Sequence, residues 1–315
     1  MRRRGGSLCV VLGALWLCAT AGATDVWIDT DPSIGAPYRE VDDAFALVLA
    51  FHSPELQIRG LSTTYGNARL KRTTQVAREL VQQFGNVAGL SETDVHAGAA
   101  TRRDDSRTAA SEALANALRK QRLTYLALGP LTNLAAFLKQ HPELAGRIDR
   151  VVLVGGRSPG TVFAFGPNGG LQIHDANVVK DPDAVRVVLA SKVPITLAPV
   201  EASSRLVLTK EGRLALRGAS PAAQFLYRKS RLWMWFWTSV VQHGGGPLFD
   251  GLAVVGVARP EFVAAERRHA WVRATGELVA TTRASDGARP VTFYARLRPG
   301  WDRVLVARLK SRRAQ

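Results

Sequence analysis

Two short stretches constrain this chain more than any others: Val26-Trp27-Ile28-Asp29-Thr30-Asp31-Pro32 and Val41-Asp42-Asp43-Ala44-Phe45-Ala46-Leu47. The first is an apolar run that ends in acids and is stopped by a proline, the pattern of a buried parallel strand emptying into a loop. The second sets two adjacent carboxylates before an uncharged apolar run, Ala44 to Phe51. Acids in that position are stabilised by the unpaired amides and the dipole of a helix N-terminus. Asp29, Asp31, Asp42 and Asp43 are thus expected to converge at the carboxyl end of the first strand, where open α/β sheets bind their ligands. Uncompensated acids there repel one another unless a hard cation holds them. A divalent-metal site is the expectation against which the rest of the chain is read.

Further along, strand and helix patterns alternate. Leu56 to Thr64 reads as a strand closing in Thr63-Thr64-Tyr65-Gly66-Asn67, and Leu70 to Phe84 as an amphipathic helix. Asn67 is a candidate ligand-binding amide and equally a turn residue beside Gly66. Leu123 to Leu128 is a strand followed by Gly129-Pro130-Leu131-Thr132-Asn133, which leaves strand-end carbonyls free to bind a cation. Val151 to Val154 is the most β-branched strand, and Val193 to Leu197 is another. Between them, Asp181-Pro182-Asp183 caps a helix through Ala190. The alternation predicts a mostly parallel, Rossmann-like sheet wrapped by helices in a single α/β domain.

The second half differs. Ala222 to Gln242 reads as one long helical stretch holding Trp233, Trp235, Phe236 and Trp237. Aromatics on several faces cannot all enter one core, so some are expected at a cleft or an interface. Asp250 repeats the opening theme: a carboxylate on a loop ahead of an uncharged helix, Leu252 to Ala258. His269 to Leu309 alternates like strands.

Residues 1–23 have the anatomy of a secretory signal peptide: Arg2-Arg3-Arg4, an apolar Leu8 to Ala19, then Ala21-Gly22-Ala23 for cleavage. The domain is expected over 24–315, with a periplasmic or secreted location and no stable membrane insertion after cleavage. Both cysteines, Cys9 and Cys18, fall in that leader. A mature chain without them has no disulfide, thiolate nucleophile or cysteine zinc site. The net charge is +16, three of it from the leader's arginines. The remaining arginines are scattered and no nucleic-acid-binding motif accompanies them, so a basic solvated surface is preferred over nucleic-acid binding.

In their order and spacing these segments resemble the inosine–uridine-preferring nucleoside hydrolases. That family carries Asp-x-Asp-Pro-Gly-x-Asp-Asp-Ala at its first strand; here Asp29-Thr30-Asp31-Pro32 and Val41-Asp42-Asp43-Ala44 are separated by an added Ser33-to-Glu40 segment. The likeness continues through Thr63 to Asn67, Gly129 to Asn133, Val154-Gly155-Gly156, Asp175-Ala176-Asn177 and Phe249-Asp250, over about residues 25 to 310. The resemblance implies hydrolysis of the N-glycosidic bond of a nucleoside by water on a bound Ca²⁺. By the same resemblance Asp31, Asp43, Asp250 and the carbonyl of Leu128 are the ion's ligands, and Asp31 is the general base. Asp42, Asn67, Asn177, Asp175 and Asn168 are then sugar contacts, and Asp29 supports the loop. Relatives assemble as dimers or tetramers, which is also the expectation here.

The chain departs from the pattern where many members have His-Asp and it has Phe249-Asp250, so the usual acid beside the departing base is missing. Asp175 stands where a longer Glu is usual. Trp233 and Trp237 are expected to stack on the base and help it leave, with His243 as a further candidate acid. Two other readings are weighed. Asp29-Thr30-Asp31 fits the nucleophile motif of haloacid-dehalogenase-type phosphatases, but Asp42-Asp43 has no place in that scheme. An exported nucleoside- or sugar-binding protein that kept the fold and lost turnover fits the absent histidine.

Overall fold

A computed structural model describes residues 22–35 and 40–311. The expected leader lies outside these apart from Gly22 and Ala23, as do 36–39 of the Ser33-to-Glu40 segment.

A nine-stranded sheet runs through the molecule. From edge to edge its strands are Leu278–Thr281, Val263–Val272, Arg289–Leu297, Ile195–Ala198, Ile148–Val154, Leu123–Ala127, Thr24–Thr30, Leu56–Thr63 and Val95–Ala97. Pairing is parallel everywhere except on the two flanks of Val263–Val272. The first strand shows why the sheet is doubly covered. Val26 and Ile28 face one core and Trp27 the other, and all three are buried. Two-sided burial is what turns a parallel strand into a continuous apolar run instead of an alternating one.

The helix Asp42–Phe51 is buried at every residue, as is Gly251–Ala258, which packs against it. Neither sequence carries a polar face because neither helix has a wet side. On the opposite side of the sheet lie Ala109–Lys120, Thr132–Gln140 and Pro182–Ala190. Asp181 caps the last of these, accepting from the Ala184 amide at 3.1 Å.

Two expectations are corrected. The strand-like alternation of the tail ends at Leu297; Trp301–Lys310 is a helix. Gly300, at φ 93°, turns the chain, and Leu305 and Leu309, four residues apart, are buried against the core. The long helical stretch of the second half is also interrupted. It consists of Pro221–Lys229, then Arg231–Trp235, then a π-helical turn Phe236–Val240. Trp233 and Trp237 point inward while Trp235 is 54% exposed, so the aromatics divide between core and surface.

After Thr24–Thr30 the chain builds outward through Leu56–Thr63 to Val95–Ala97, then returns to the other side of the first strand with Leu123–Ala127. The loops leaving the first and fourth of these strands therefore diverge at a topological switch point, where such sheets open a crevice. Asp31 and Leu128 stand at its mouth.

Candidate active site

The crevice is floored by acids. One carboxylate oxygen each from Asp42, Asp43 and Asp250 lies within 4.8 Å of the others, the only such group among the described residues, and all three side chains are buried. Asp42 and Asp43 open their helix, and Asp250 precedes Gly251–Ala258, so the packing of these two helices brings the three together. Asp43 is fixed by Thr30 Oγ1 at 2.5 Å, the Asp31 amide at 3.1 Å and Asn67 Nδ2 at 2.9 Å. Asp31 Oδ2 accepts from the Asn67 amide at 2.6 Å, while its Oδ1 is buried without a hydrogen-bond partner. Gly66 permits that approach: a Cβ there would lie 1.8 Å from Asp31 Oδ2.

Asp29 lies one layer below. Its Oδ1 accepts from Ser62 Oγ at 2.6 Å and Asn133 Nδ2 at 2.7 Å, and its carbonyl from the Leu128 amide at 2.8 Å. It thus ties the switch-point strands together, as expected for a residue that supports the loop. Asn133 also takes the Ala99 amide at 2.6 Å. This interior role was not visible in the Gly-Pro-Leu-Thr-Asn motif, whose glycine and proline draw attention to the backbone instead.

Such crowding sets the electrostatics. Burial, then the neighbouring Asp43 charge, pushes Asp31 up to about 7. Burial, then Asp42, pushes Asp43 up to about 7; burial, then Glu40, pushes Asp42 up to about 8. Asp250 is raised well above the usual carboxylate range by burial and by the charges of Asp42, Asp43 and Asp31. An all-oxygen set of this kind, with an unpaired buried Asp31 oxygen beside it, suits a hard divalent cation, which would restore the ionised state of each group.

Above the acids is a cavity of about 200 Å³ whose lining includes Asp42, Asn67, Leu128, Asp175, Asn177 and Asp250. The fold therefore gathers nearly all of the polar residues singled out in the sequence. Asn177 lines the cavity, and its Nδ2 donates to the carbonyls of Leu128 at 2.6 Å and Val154 at 3.1 Å. Asp175 caps the short helix Ala176–Lys180 and accepts from the Gly156 amide at 2.6 Å. Asn168 is not brought in: it is exposed in the turn Pro167–Gly169.

The far end of the cavity is aromatic. Phe249 lines it, and Phe165 packs behind Phe249 at 6.2 Å between ring centroids. Trp237 and His243 pack on Phe165 in turn, at 5.1 and 5.6 Å. Neither Trp233 nor Trp237 lines the cavity. Trp233 donates to Glu40 Oε2 at 2.9 Å, and it is Glu40 that borders the space. His243 Nδ1 is 2.8 Å from the Gly245 carbonyl, which can only accept, so Nδ1 carries the hydrogen. Two groups near the site had no signal in the motif spacing: Glu40, at the end of the added segment, and Lys180, whose ammonium lies 3.5 Å from Asp31 Oδ2.

Residues 26–297 match the model of the inosine-uridine preferring nucleoside hydrolases. The chain belongs to that family. Among curated relatives it is 27% identical over 312 residues to uridine nucleosidase 1 of Arabidopsis thaliana, covering 87% of each chain. It is 26% identical over 290 residues to the pyrimidine-specific ribonucleoside hydrolase RihA of Escherichia coli O9:H4 (strain HS), covering 81% of this chain and 86% of the other. Of solved structures, a plant nucleoside hydrolase, PpNRh1, superposes with a TM-score of 0.77 at 22% identity, over 91% of this chain and 99% of that one. The purine-preferring ribonucleoside hydrolase from Gardnerella vaginalis gives 0.75 at 22%, over 91% and 98%. The nucleoside hydrolase fold is shared throughout.

Proposed function

We propose that this nucleoside hydrolase family member cleaves the N-glycosidic bond of ribonucleosides, releasing free base and ribose, and that it uses Ca²⁺. The observation that carries the reading is the buried Asp42, Asp43 and Asp250 group opening into a cavity walled by Asn67, Asp175 and Asn177. Asp31, Asp43, Asp250 and the Leu128 carbonyl would hold the ion, with Asp42 alongside. Bound there, the ion would supply a Lewis acid that makes water easier to deprotonate.

The protein's own groups do the rest. Asp31 takes a proton from the attacking water through its unpaired Oδ1, its other oxygen being occupied by the Asn67 amide. Asp42, Asn67 and Asn177 Oδ1 orient the ribose 2′- and 3′-hydroxyls, and Asp175 accepts from the 5′-hydroxyl. Water adds to C1′ as the C1′–N bond breaks, and the bonding pair leaves with the base, which then takes up a proton. The carboxylates around the ring stabilise the cationic sugar that develops. At the other end the base would rest on Phe249, with Trp237 behind it.

Export, supported by the leader-like pattern of residues 1–23, and assembly as a dimer or tetramer, supported by the family resemblance, are part of this proposal. The test is turnover of inosine, uridine and a nitrophenyl riboside by purified protein, with and without EGTA. Release of base or nitrophenol that EGTA abolishes is the expected result; turnover indifferent to EGTA would remove the calcium. A second reading, a nucleoside- or sugar-binding protein without turnover, is favoured by one observation, the phenylalanine at 249. Saturable nucleoside binding with no product from any of the three substrates would establish it.

A further inference from the structure

The acid site has a cation of its own. Lys180 Nζ lies 3.5 Å from Asp31 Oδ2 and 3.3 Å from Asn67 Oδ1, so it bridges the two residues that together hold Asp31 and Asp43 in place. Its backbone is equally fixed. The Lys180 carbonyl accepts from the Tyr65 hydroxyl at 3.2 Å. The next residue, Asp181, is buried and accepts from Thr132 Oγ1 at 2.7 Å and from the Ala184 and Arg103 amides. Gly66 leaves room for the bridge, since a Cβ at that position would lie 3.2 Å from the ammonium as well as against Asp31. The side chain is 22% exposed, with its charged end turned inward onto the acids.

We infer that Lys180 is a tethered cation that competes with the divalent ion for Asp31 and so sets the ion affinity of the site. This rests on the proposed metal site. Two effects oppose each other when the ammonium is removed. Asp31 loses one partner, which loosens it, and the ion loses a positive neighbour, which favours binding. The first effect is small, because the 2.6 Å bond from the Asn67 amide and the 2.9 Å bond from Asn67 to Asp43 do not involve Lys180. The second is large, because the divalent ion's charge doubles its repulsion from the ammonium and both would sit on acids buried away from screening water. Lys180 is a positioning residue in this scheme: it touches Asp31 and Asn67, not the reacting atoms. It also keeps the acids from repelling each other when no ion is bound.

The measurement is Ca²⁺ affinity by calorimetry on the full chain, together with melting in EGTA and in Ca²⁺. Lys180→Met, which keeps the length and removes the charge, is expected to bind Ca²⁺ about tenfold more tightly. The same variant should melt lower in EGTA and gain more from Ca²⁺ than the wild type does. Lys180→Arg, which keeps the charge, should stay within about threefold of wild type by the same electrostatic argument. Measured against Asp31→Asn alone, Lys180→Met should tighten Ca²⁺ binding less than it does in the wild-type background, because the two changes remove one interaction. Equal or weaker Ca²⁺ binding by Lys180→Met would overturn the inference alone. Absence of Ca²⁺ binding by the wild type would overturn the metal site and the inference together.

Discussion

The two ends of the cavity are built by opposite means. At the sugar end Asp29, Asp31 and Asp43 are each held by more than one donor. Asp43 accepts three hydrogen bonds, Asp29 accepts from Ser62 and Asn133, and Asp31 accepts from the Asn67 amide and Lys180. At the base end there are rings and little polar chemistry: Phe249 on the cavity, Phe165 behind it, Trp237 and His243 behind that, with Trp237 Nε1 buried and unpartnered. The contrast separates two requirements of the reaction. Stabilising a cationic sugar needs fixed negative charge at a defined place, which tolerates no substitution. Holding a departing base needs an apolar face, which several arrangements can provide, and whatever proton the base takes must come from elsewhere.

The largest effect is expected at the rigid end. Asp43→Ala removes a carboxylate held by Thr30, Asn67 and the Asp31 amide, and should lower nitrophenyl riboside turnover by about 10²–10³-fold, the range for deleting one preorganised electrostatic group. Calcium affinity measured on the same sample should fall with it. Retention of more than a tenth of the activity would mean that charge at this end is not what drives the chemistry.

The same end should govern how stability varies with pH. Asp29, Asp31 and Asp43 are raised to about 7 and Asp42 to about 8, chiefly by burial. A carboxyl whose folded value is raised binds its proton more tightly in the native state than in the unfolded one. Its contribution to stability is complete below the unfolded value near 4 and is lost as pH rises through 7 to 8. In EGTA the melting temperature should therefore fall by roughly 5–10 °C across that window. Calcium requires the ionised acids, so the increment it adds should grow over the same range. A flat profile in EGTA would show that these acids are already ionised without a cation.

Phe249→His tests the soft end by giving it the missing acid. A positioned general acid contributes about 10²–10⁴-fold, and an unoptimised one should reach the bottom of that range. Turnover of inosine or uridine is expected to rise by about 10-fold to 10²-fold, whereas the nitrophenyl riboside, whose leaving group needs no proton, should change little. An equal change in both substrates would place the difficulty in binding, not in departure.

The rigid end was also the more legible in the sequence. Charged residues at the end of an apolar strand have few reasons to be there, so Asp29, Asp31, Asp42 and Asp43 are legible as a group from the sequence, while Asp250 joins them only through the family resemblance. The parallel sheet was legible for the same reason: two-sided burial leaves uninterrupted apolar runs at Val26-Trp27-Ile28 and Val151 to Val154. What stayed hidden depends on packing across long separations. Nothing in the spacing shows that Lys180 reaches Asp31, 149 residues away, or that Trp233 meets Glu40, 193 residues away. The helix Trp301–Lys310 reads as strand in the sequence because β-branched Val304 and Val306 flank Leu305, whereas the residues that pack, Leu305 and Leu309, lie four apart on one helical face.

Trp237 gives the smallest expected effect and the finest test of the contrast. The residue is 2% exposed, and its indole nitrogen has no hydrogen-bond partner. Trp237→Phe therefore forfeits no hydrogen bond and trades only ring volume against Phe165 and Phe236. A shape change of that kind in a packed core costs about 1 kcal/mol, readable as a modest drop in denaturation midpoint. If the tryptophan only backs Phe165 and Phe249, turnover of every substrate should fall by less than about threefold, since 1.4 kcal/mol is needed for a factor of ten. A tenfold loss confined to natural nucleosides would instead mean that the indole itself meets the base, which requires Phe165 to move aside when substrate enters.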